Sequence, residues 1–191
     1  MPGAEAPATS IRTPRLELLA AAPRHVHAAL DGPAALASEL DAHVPESWPH
    51  EYLDAATLRF FLGRLSPDEG AAPWWLRFVL RRGLTGKRAL IGTGGYMGPP
   101  TGDGVLELGY GIVEDQRGVG YATEVTQGLV DHGFGLSGVN RIVAHTLPDG
   151  TASIRVLVKN GFVRSAEAAP VGTLRFELTR CRFQAQAPRR H

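Results

Sequence analysis

The chain has 191 residues, the length of one domain, and is long enough to bury a full core. Hydrophobic residues at 43%, charged residues at 20% and a formal net charge of +1 describe an ordinary globular protein, with no charge excess to suggest nucleic acid or an anionic membrane as partner. One cysteine, Cys181, excludes an intrachain disulfide and a cysteine-based metal site, and no metal is expected.

Residues 1–11 are small, polar and proline-bearing, and are expected to be disordered. No signal sequence opens the chain and no run approaches the ~18 apolar residues of a membrane span, so a cytoplasmic protein is expected. "RLELLA", from Arg15, alternates as a first strand would. Helical signals follow from Arg24 to about Leu65: "RHVHAALDG", then "AALASEL" after Pro33, then "HEYLDAATLRFFLGRL", with Leu53, Ala56, Phe60 and Phe61 near helical spacing. Between the last two, "HVPESWPH" is broken by two prolines around Trp48. "SPDEGAAP" (Ser66–Pro73) reads as a loop. "WWLRFVLRR" and "RALIGTGGYM" read as strands joined by a hairpin-like "GLTGK", and "VLELGYGIV" (Val105–Val113) as a third. "GYATEVTQGLVDHGF" sets Ala122, Val125, Leu129 and Val130 on one helical face. "NRIVAHT" is a short strand, and "TASIRVLVKNGF" a helix closed by Asn160-Gly161. In "GTLRFELTR", Leu174, Phe176 and Leu178 alternate inward as a last strand. The order of elements gives an α/β (α+β) sheet with helices against it. The domain is expected over residues 12–183, with 184–191 as a tail.

"GIVEDQRGVGYATE" (Gly111–Glu124) places an arginine and two glycines where a strand becomes a helix. A helix N-terminus offers unpaired N–H groups and the positive end of a dipole, and glycines let an anion come close. A turn without a ligand would explain a bare Gly-x-Gly in a chain with 23 glycines. The dinucleotide fingerprint fails, because its third glycine would fall on Thr123 or, from Gly109, on Glu114; the triphosphate loop fails because Arg88 follows "TGK".

A third pattern fits. Arg117, Gly120 and Ala122 match Gln/Arg-x-x-Gly-x-Gly/Ala, and the stretch resembles the pyrophosphate loop of the GNAT superfamily of N-acetyltransferases. "LELGYGIVEDQRGVGYATEV", "TASIRVLVKNGF" (with Ser153, Val156-Leu157, Lys159 and Gly161-Phe162) and "RTPRLELLA" resemble the RimJ/RimL-like, ribosomal-protein branch, and the likeness covers roughly residues 12–180. It implies a GNAT fold: a mixed, mostly antiparallel sheet, two splayed parallel strands, and helices on both faces. It implies acetyl-CoA as co-substrate. Arg117, Gly118, Val119, Gly120, Tyr121, Ala122 and Thr123 would bind the diphosphate, and backbone groups near Tyr110 and Ile112 the pantetheine arm. An N–H there would polarise the thioester carbonyl.

The acceptor amine must lose its proton, whether an α-amine with pKa ~7.7–8.0 or a lysine near ~10.4. Glu107 and His145 are the two candidate bases, each at a place where family members carry one; an imidazole, titrating near ~6.5, suits the task. The tyrosine that many members use as an acid is replaced by Leu157, which leaves Ser153 as candidate donor to the leaving sulfur and as part of the coenzyme site. Gly150 replaces the family asparagine before this helix. Trp48, Glu51 and Tyr96 are candidates for the acceptor's walls. Two other readings remain, a non-catalytic acyl-CoA sensor and another nucleotide-binding α/β domain. The resemblance extends to homodimers, a common assembly.

Overall fold

Alternation along the strands decides which helices cover which side of the sheet. Phe78 and Val79 are adjacent and both fully buried, yet they belong to different apolar clusters. Successive side chains of a strand point to opposite faces, so this strand lies between two layers of helix. The computed structural model describes residues 9–65, 74–83 and 86–186. Expectations for residues 1–8, 66–73, 84–85 and 187–191 lie outside the described residues.

Strands β1 (Ser10–Arg12) and β2 (Leu16–Ala20) open the fold, followed by helices α1 (Pro23–Asp31), α2 (Pro33–Leu40) and α3 (Ala55–Leu65). Pro23 and Pro33 stand in the first turns of α1 and α2, where a missing N–H costs nothing. Strands β3 (Leu76–Arg82), β4 (Arg88–Tyr96) and β5 (Val105–Ile112) come next, and a single 3-10 turn (Glu114–Gln116) leads into α4 (Tyr121–Gly135). The chain continues through β6 (Arg141–Thr146), α5 (Thr151–Lys159), β7 (Val163–Arg164), β8 (Leu174–Thr179) and α6 (Arg180–Gln186). The described strands form one sheet in the order β1-β2-β3-β4-β5-β6-β8-β7. Every neighbouring pair is antiparallel except β5 and β6.

Val26, Leu36, Leu40, Leu58 and Phe61 of α1–α3 pack on Phe78, Leu80 and Leu90. On the opposite face, Val125, Leu129 and Leu157 of α4 and α5 pack on Val79, Ile91 and Leu106. This is the α/β architecture that the order of elements implied, with the helices on both faces that the resemblance implied.

Three departures from the sequence reading have local causes. The third helix begins at Ala55, because the Asp54 carboxylate accepts the Thr57 N–H at 2.7 Å and so caps the helix there. Its buried stripe is Leu58, Phe61 and Leu65, while Phe60 is 50% exposed. Ser10 and Ile11, in the stretch expected to be disordered, pair with Leu19 and Leu18 in β1. Residues 184–186, expected in the tail, belong to α6, which Phe183 holds against Phe134 at a ring separation of 4.6 Å. The two-residue strand β7 is too short to leave a periodic signal.

Leu129 of α4 is fully buried beneath the sheet. Leu129→Ala is expected to lower the free energy of unfolding by about 2–5 kcal/mol, read from urea melts.

Candidate active site

Strands β5 and β6 pair over three residues only: Val105, Leu106 and Glu107 lie opposite Arg141, Ile142 and Val143. Beyond Glu107, β5 stays on β4 and β6 stays on β8, so the two parallel strands part into a V. The N–H groups of Met97 and Val113 donate to the carbonyls of Glu107 and Ile91, which makes the odd-numbered residues of β5 those bonded to β4. Alternation then turns the N–H and C=O of Leu108, Tyr110 and Ile112 into the gap. A cleft of about 850 Å³ runs through it.

The turn from Arg117 to Gly120 lines the same cleft. Gly118 and Gly120 have φ of +81° and +89°, a conformation that side chains with a Cβ resist. A Cβ added at Gly118 would meet nothing within 4 Å, so the loop faces open space. The first hydrogen bond of α4 runs from the Glu124 N–H to the Gly120 carbonyl at 3.1 Å. The amides of Tyr121, Ala122 and Thr123 come before it and are the orphan donors of a helix N-terminus, suited to an anion. Arg117 donates through Nε to the Ile112 carbonyl at 2.9 Å, and through Nη2 to Glu51 at 2.8 Å.

Two further contacts brace this loop. Glu124 accepts the Thr13 hydroxyl (2.6 Å), the Arg15 N–H (2.7 Å) and Arg15 Nε (2.6 Å). Burial pushes its carboxyl up, and these donors outweigh that and hold it below the usual range. Arg15 lies over the Tyr121 ring at 4.5 Å and donates to the Val119 carbonyl at 3.2 Å. From α5, buried Asn160 donates to the Thr123 carbonyl at 3.3 Å, which brings Lys159 to the same end of the cleft.

Alternation also sorts the side chains of β5. Leu106, Leu108, Tyr110 and Ile112 face α4 and α5. There the Tyr110 hydroxyl lies 3.0 Å from Ser153 Oγ. Burial raises the Tyr110 phenol above its ordinary pKa, against the lowering effect of its bond to Ser153, so the hydroxyl keeps its proton. Glu107, Gly109 and Gly111 face the other way, toward α1–α3. The Glu107 carboxylate and His145 Nδ1 are 2.8 Å apart, so the two candidate bases form one hydrogen-bonded unit. His145 lines the cleft, and its Nε2 is buried without a hydrogen-bond partner among the described residues.

The cleft continues on the α1–α3 side past Thr57, Phe61, Trp75 and Met97. Glu51 lines it. Tyr96 borders the cleft, but its side chain is fully buried on the α4 face, with its hydroxyl donating to the Leu129 carbonyl at 2.8 Å, so it is core and not an acceptor wall. Trp48 does not line the cleft: it is 7% exposed, packed 6.0 Å from the ring of Phe78 in the core beneath α1–α3. The neighbouring His50 is the residue that reaches the cleft. Its Nδ1 accepts the Tyr52 N–H at 3.3 Å, so the proton sits on Nε2, which donates to Thr93 Oγ1 at 2.7 Å. Burial pulls its pKa down to about 4. A Cβ at Gly111 would lie 2.4 Å from the His50 ring, so this neutral imidazole packs directly on the β5 backbone.

The acetyltransferase (GNAT) domain family matches residues 15–163. The chain belongs to the GNAT acetyltransferases. It is 36% identical over 85 residues to the uncharacterized N-acetyltransferase p20 of Bacillus licheniformis, spanning 42% of this chain and about half, 48%, of that protein. It is 24% identical over 160 residues to the uncharacterized N-acetyltransferase YjdG of Bacillus subtilis, covering 83% of this chain and 88% of that one. A RimL ribosomal L7/L12 alpha-N-protein acetyltransferase, solved in complex with coenzyme A, shares the fold with a TM-score of 0.59 and 20% identity, over 89% of this chain and 97% of the other.

Gly150, where the resemblance implies an asparagine, leaves no room for a side chain: a Cβ would lie 2.7 Å from Thr146 Oγ1 and 3.0 Å from the Leu147 carbonyl. The sequence reading missed Arg15, Glu124, His50 and the hydroxyl of Tyr110. The alternation of "LELGYGIV" puts Tyr110 on one face with Leu106 and Leu108, but only the packing shows that this face meets α4 and α5. Among the described residues, no three His, Cys, Asp or Glu side chains are grouped to hold a metal, and no helix is long and apolar enough to cross a membrane.

Two outcomes follow from this geometry. Gly150→Asn is expected to lower the urea midpoint and to weaken the site instead of restoring it, because the turn must open to admit the side chain. For His50, the folded pKa is depressed to about 4 from 6.5, so between those values the unfolded chain binds more protons. Stability should fall as pH drops from 6.5 toward 4, by roughly 3 kcal/mol from this group. Urea melts at pH 7 and 4.5 read the fall, and His50→Gln should reduce it; His25 and His132, also lowered, supply the remainder.

Proposed function

We propose that the protein is an acetyl-CoA-dependent N-acetyltransferase that moves an acetyl group directly to a primary amine, on a protein N-terminus or a small molecule. The observation that carries this reading is the V between β5 and β6, with unpaired backbone groups along one arm and helix N-terminal amides at its mouth. Those groups fit a coenzyme A thioester. The amides of Gly118 to Thr123 hold the diphosphate, with Arg117, Arg15 and Lys159 as nearby cations. The backbone of Leu108, Tyr110 and Ile112 pairs with the amides of the pantetheine arm, as a sheet edge pairs with an added strand. The RimL neighbour, solved with coenzyme A, supports the choice of ligand.

Acetyl-CoA supplies the acetyl group already activated as a thioester. His145, with its Nδ1 proton held by Glu107, keeps the Nε2 lone pair free to take the proton that the amine sheds as it attacks. Glu107 is thus a positioning residue. The gap-facing N–H groups of β5 donate to the carbonyl oxygen as negative charge develops on it. Ser153 and Tyr110, hydrogen-bonded on the opposite face, provide a proton for the departing sulfur. The base and the acid therefore approach the gap from opposite sides of the sheet, which suits an amine arriving from one side and a thiol leaving on the other. The family likeness also supports a cytoplasmic homodimer.

Calorimetric titration with acetyl-CoA tests the reading. Wild-type protein should bind, and Gly120→Glu, which puts a carboxylate into the anion cradle, should not, while remaining folded. Thiol detection with an amine panel then reads turnover. His145→Ala is expected to lower kcat by about 10²–10⁴ without loss of acetyl-CoA binding, and Glu107→Gln by less. Binding without thiol release from any amine would favour the sensor reading.

A further inference from the structure

The acceptor side of the cleft has a distinct chemistry. Its wall is formed by Phe61, Trp75, Met97 and the flank of Tyr52. Met97 is 45% exposed and Tyr52 63%, so apolar groups stand open to solvent in the cleft that His145 also lines. The Met97 methyl lies over Gly109: a Cβ there would come within 2.8 Å of Cε. Gly109 and Gly111 are on the same face of β5 as Glu107, and their lack of side chains lets Met97 and His50 pack directly on the strand.

The charges on this side are already committed or of the wrong sign for a polycation. Among the described residues, the carboxylates lining the cleft are Glu51 and Asp149. Glu51 is 2.8 Å from Arg117, and Asp149 is across the gap, in the turn between β6 and α5. Glu107 is held by His145. Arg64 places its guanidinium 5.2 Å from the centre of the Trp75 ring and 5.1 Å from that of Phe60, so the aromatic wall carries a cation at its rim. A polyamine or aminoglycoside would find on this wall only a carboxylate already paired with arginine, and none left for its other ammonium groups.

Building on the acetyltransferase reading, we propose that the acceptor is a single primary amine carried beside an apolar, preferably aromatic, group, which packs against Trp75, Phe61 and Met97 while the amine is directed along the cleft to the His145–Glu107 pair. Two sources share this chemistry, a free arylalkylamine and a peptide with an aromatic first residue. The wall sets specificity through the acceptor's KM, and the acid and base across the sheet set kcat.

The experiment has two parts. Calorimetry with acetyl-CoA first establishes the co-substrate. Thiol release is then measured with phenethylamine, a Phe-Ala peptide amide, spermidine and kanamycin. Phenethylamine or the peptide should exceed spermidine and kanamycin in kcat/KM by roughly tenfold to a hundredfold, and the better of the two identifies the source. Trp75→Ala should raise the KM for that acceptor about tenfold with kcat little changed. Met97→Glu, at an exposed position that spares the core, should narrow the gap by lowering the KM for spermidine. Release favouring spermidine or kanamycin overturns this inference and leaves acetyl transfer standing. A variant series in which KM for the aromatic acceptor does not move overturns it too. No release with any amine overturns both readings.

Discussion

The site exists because two parallel strands stop pairing after three residues. A backbone N–H or C=O shut away from water costs free energy unless it finds a partner. In the middle of a sheet, nearly every such group is satisfied by its neighbour. Where β5 leaves β6, the groups of Leu108, Tyr110 and Ile112 lose that neighbour. Ile112 is served by Arg117, and the others line a cleft. A chain that keeps such a gap has built a place for something with amides of its own.

The same alternation that distributes the core also separates the chemistry. One face of β5 carries Tyr110 toward Ser153, and the other carries Glu107 toward His145. On the Glu107 face the two glycines at 109 and 111 leave the strand bare for the side chains that pack on it. Packing and reactivity here follow from one period of two residues. His50 completes the arrangement: a neutral ring beneath Gly111 fills the space that a side chain would otherwise take.

Much of this was legible in the residues. Strongly periodic segments such as Tyr121–Gly135 and Leu174–Thr179 declared themselves, as did the turn from strand to helix at Arg117–Gly120. What stayed hidden depends on distance in space. Glu107 and His145 stand 38 positions apart and were read as rivals, since nothing in the sequence says that neighbouring parallel strands bring them within 2.8 Å. Trp48 looked like a wall because aromatic residues in proline-rich turns are ambiguous; burial against Phe78 made it core. His50, two residues later, gave no signal, because a lone histidine becomes meaningful only through what it packs on. Gly150 was readable as an absent asparagine through the resemblance, and only the folded turn, too tight for a side chain, shows what the glycine is for.

The brace around Glu124 ties the start of the chain to the middle. Thr13 and Arg15 meet it across 111 and 109 positions of sequence. Closing so long a loop carries an entropic cost that local turns do not, and it is recovered only when the first hairpin docks. The first turn of α4 therefore inherits the local stability of the β1–β2 hairpin, whose outer strand β1 is the sheet's edge. Any fraying there, detectable as faster amide exchange at Leu16 and Leu18, reaches the first turn of α4 as lost order, although more than a hundred residues of chain lie between.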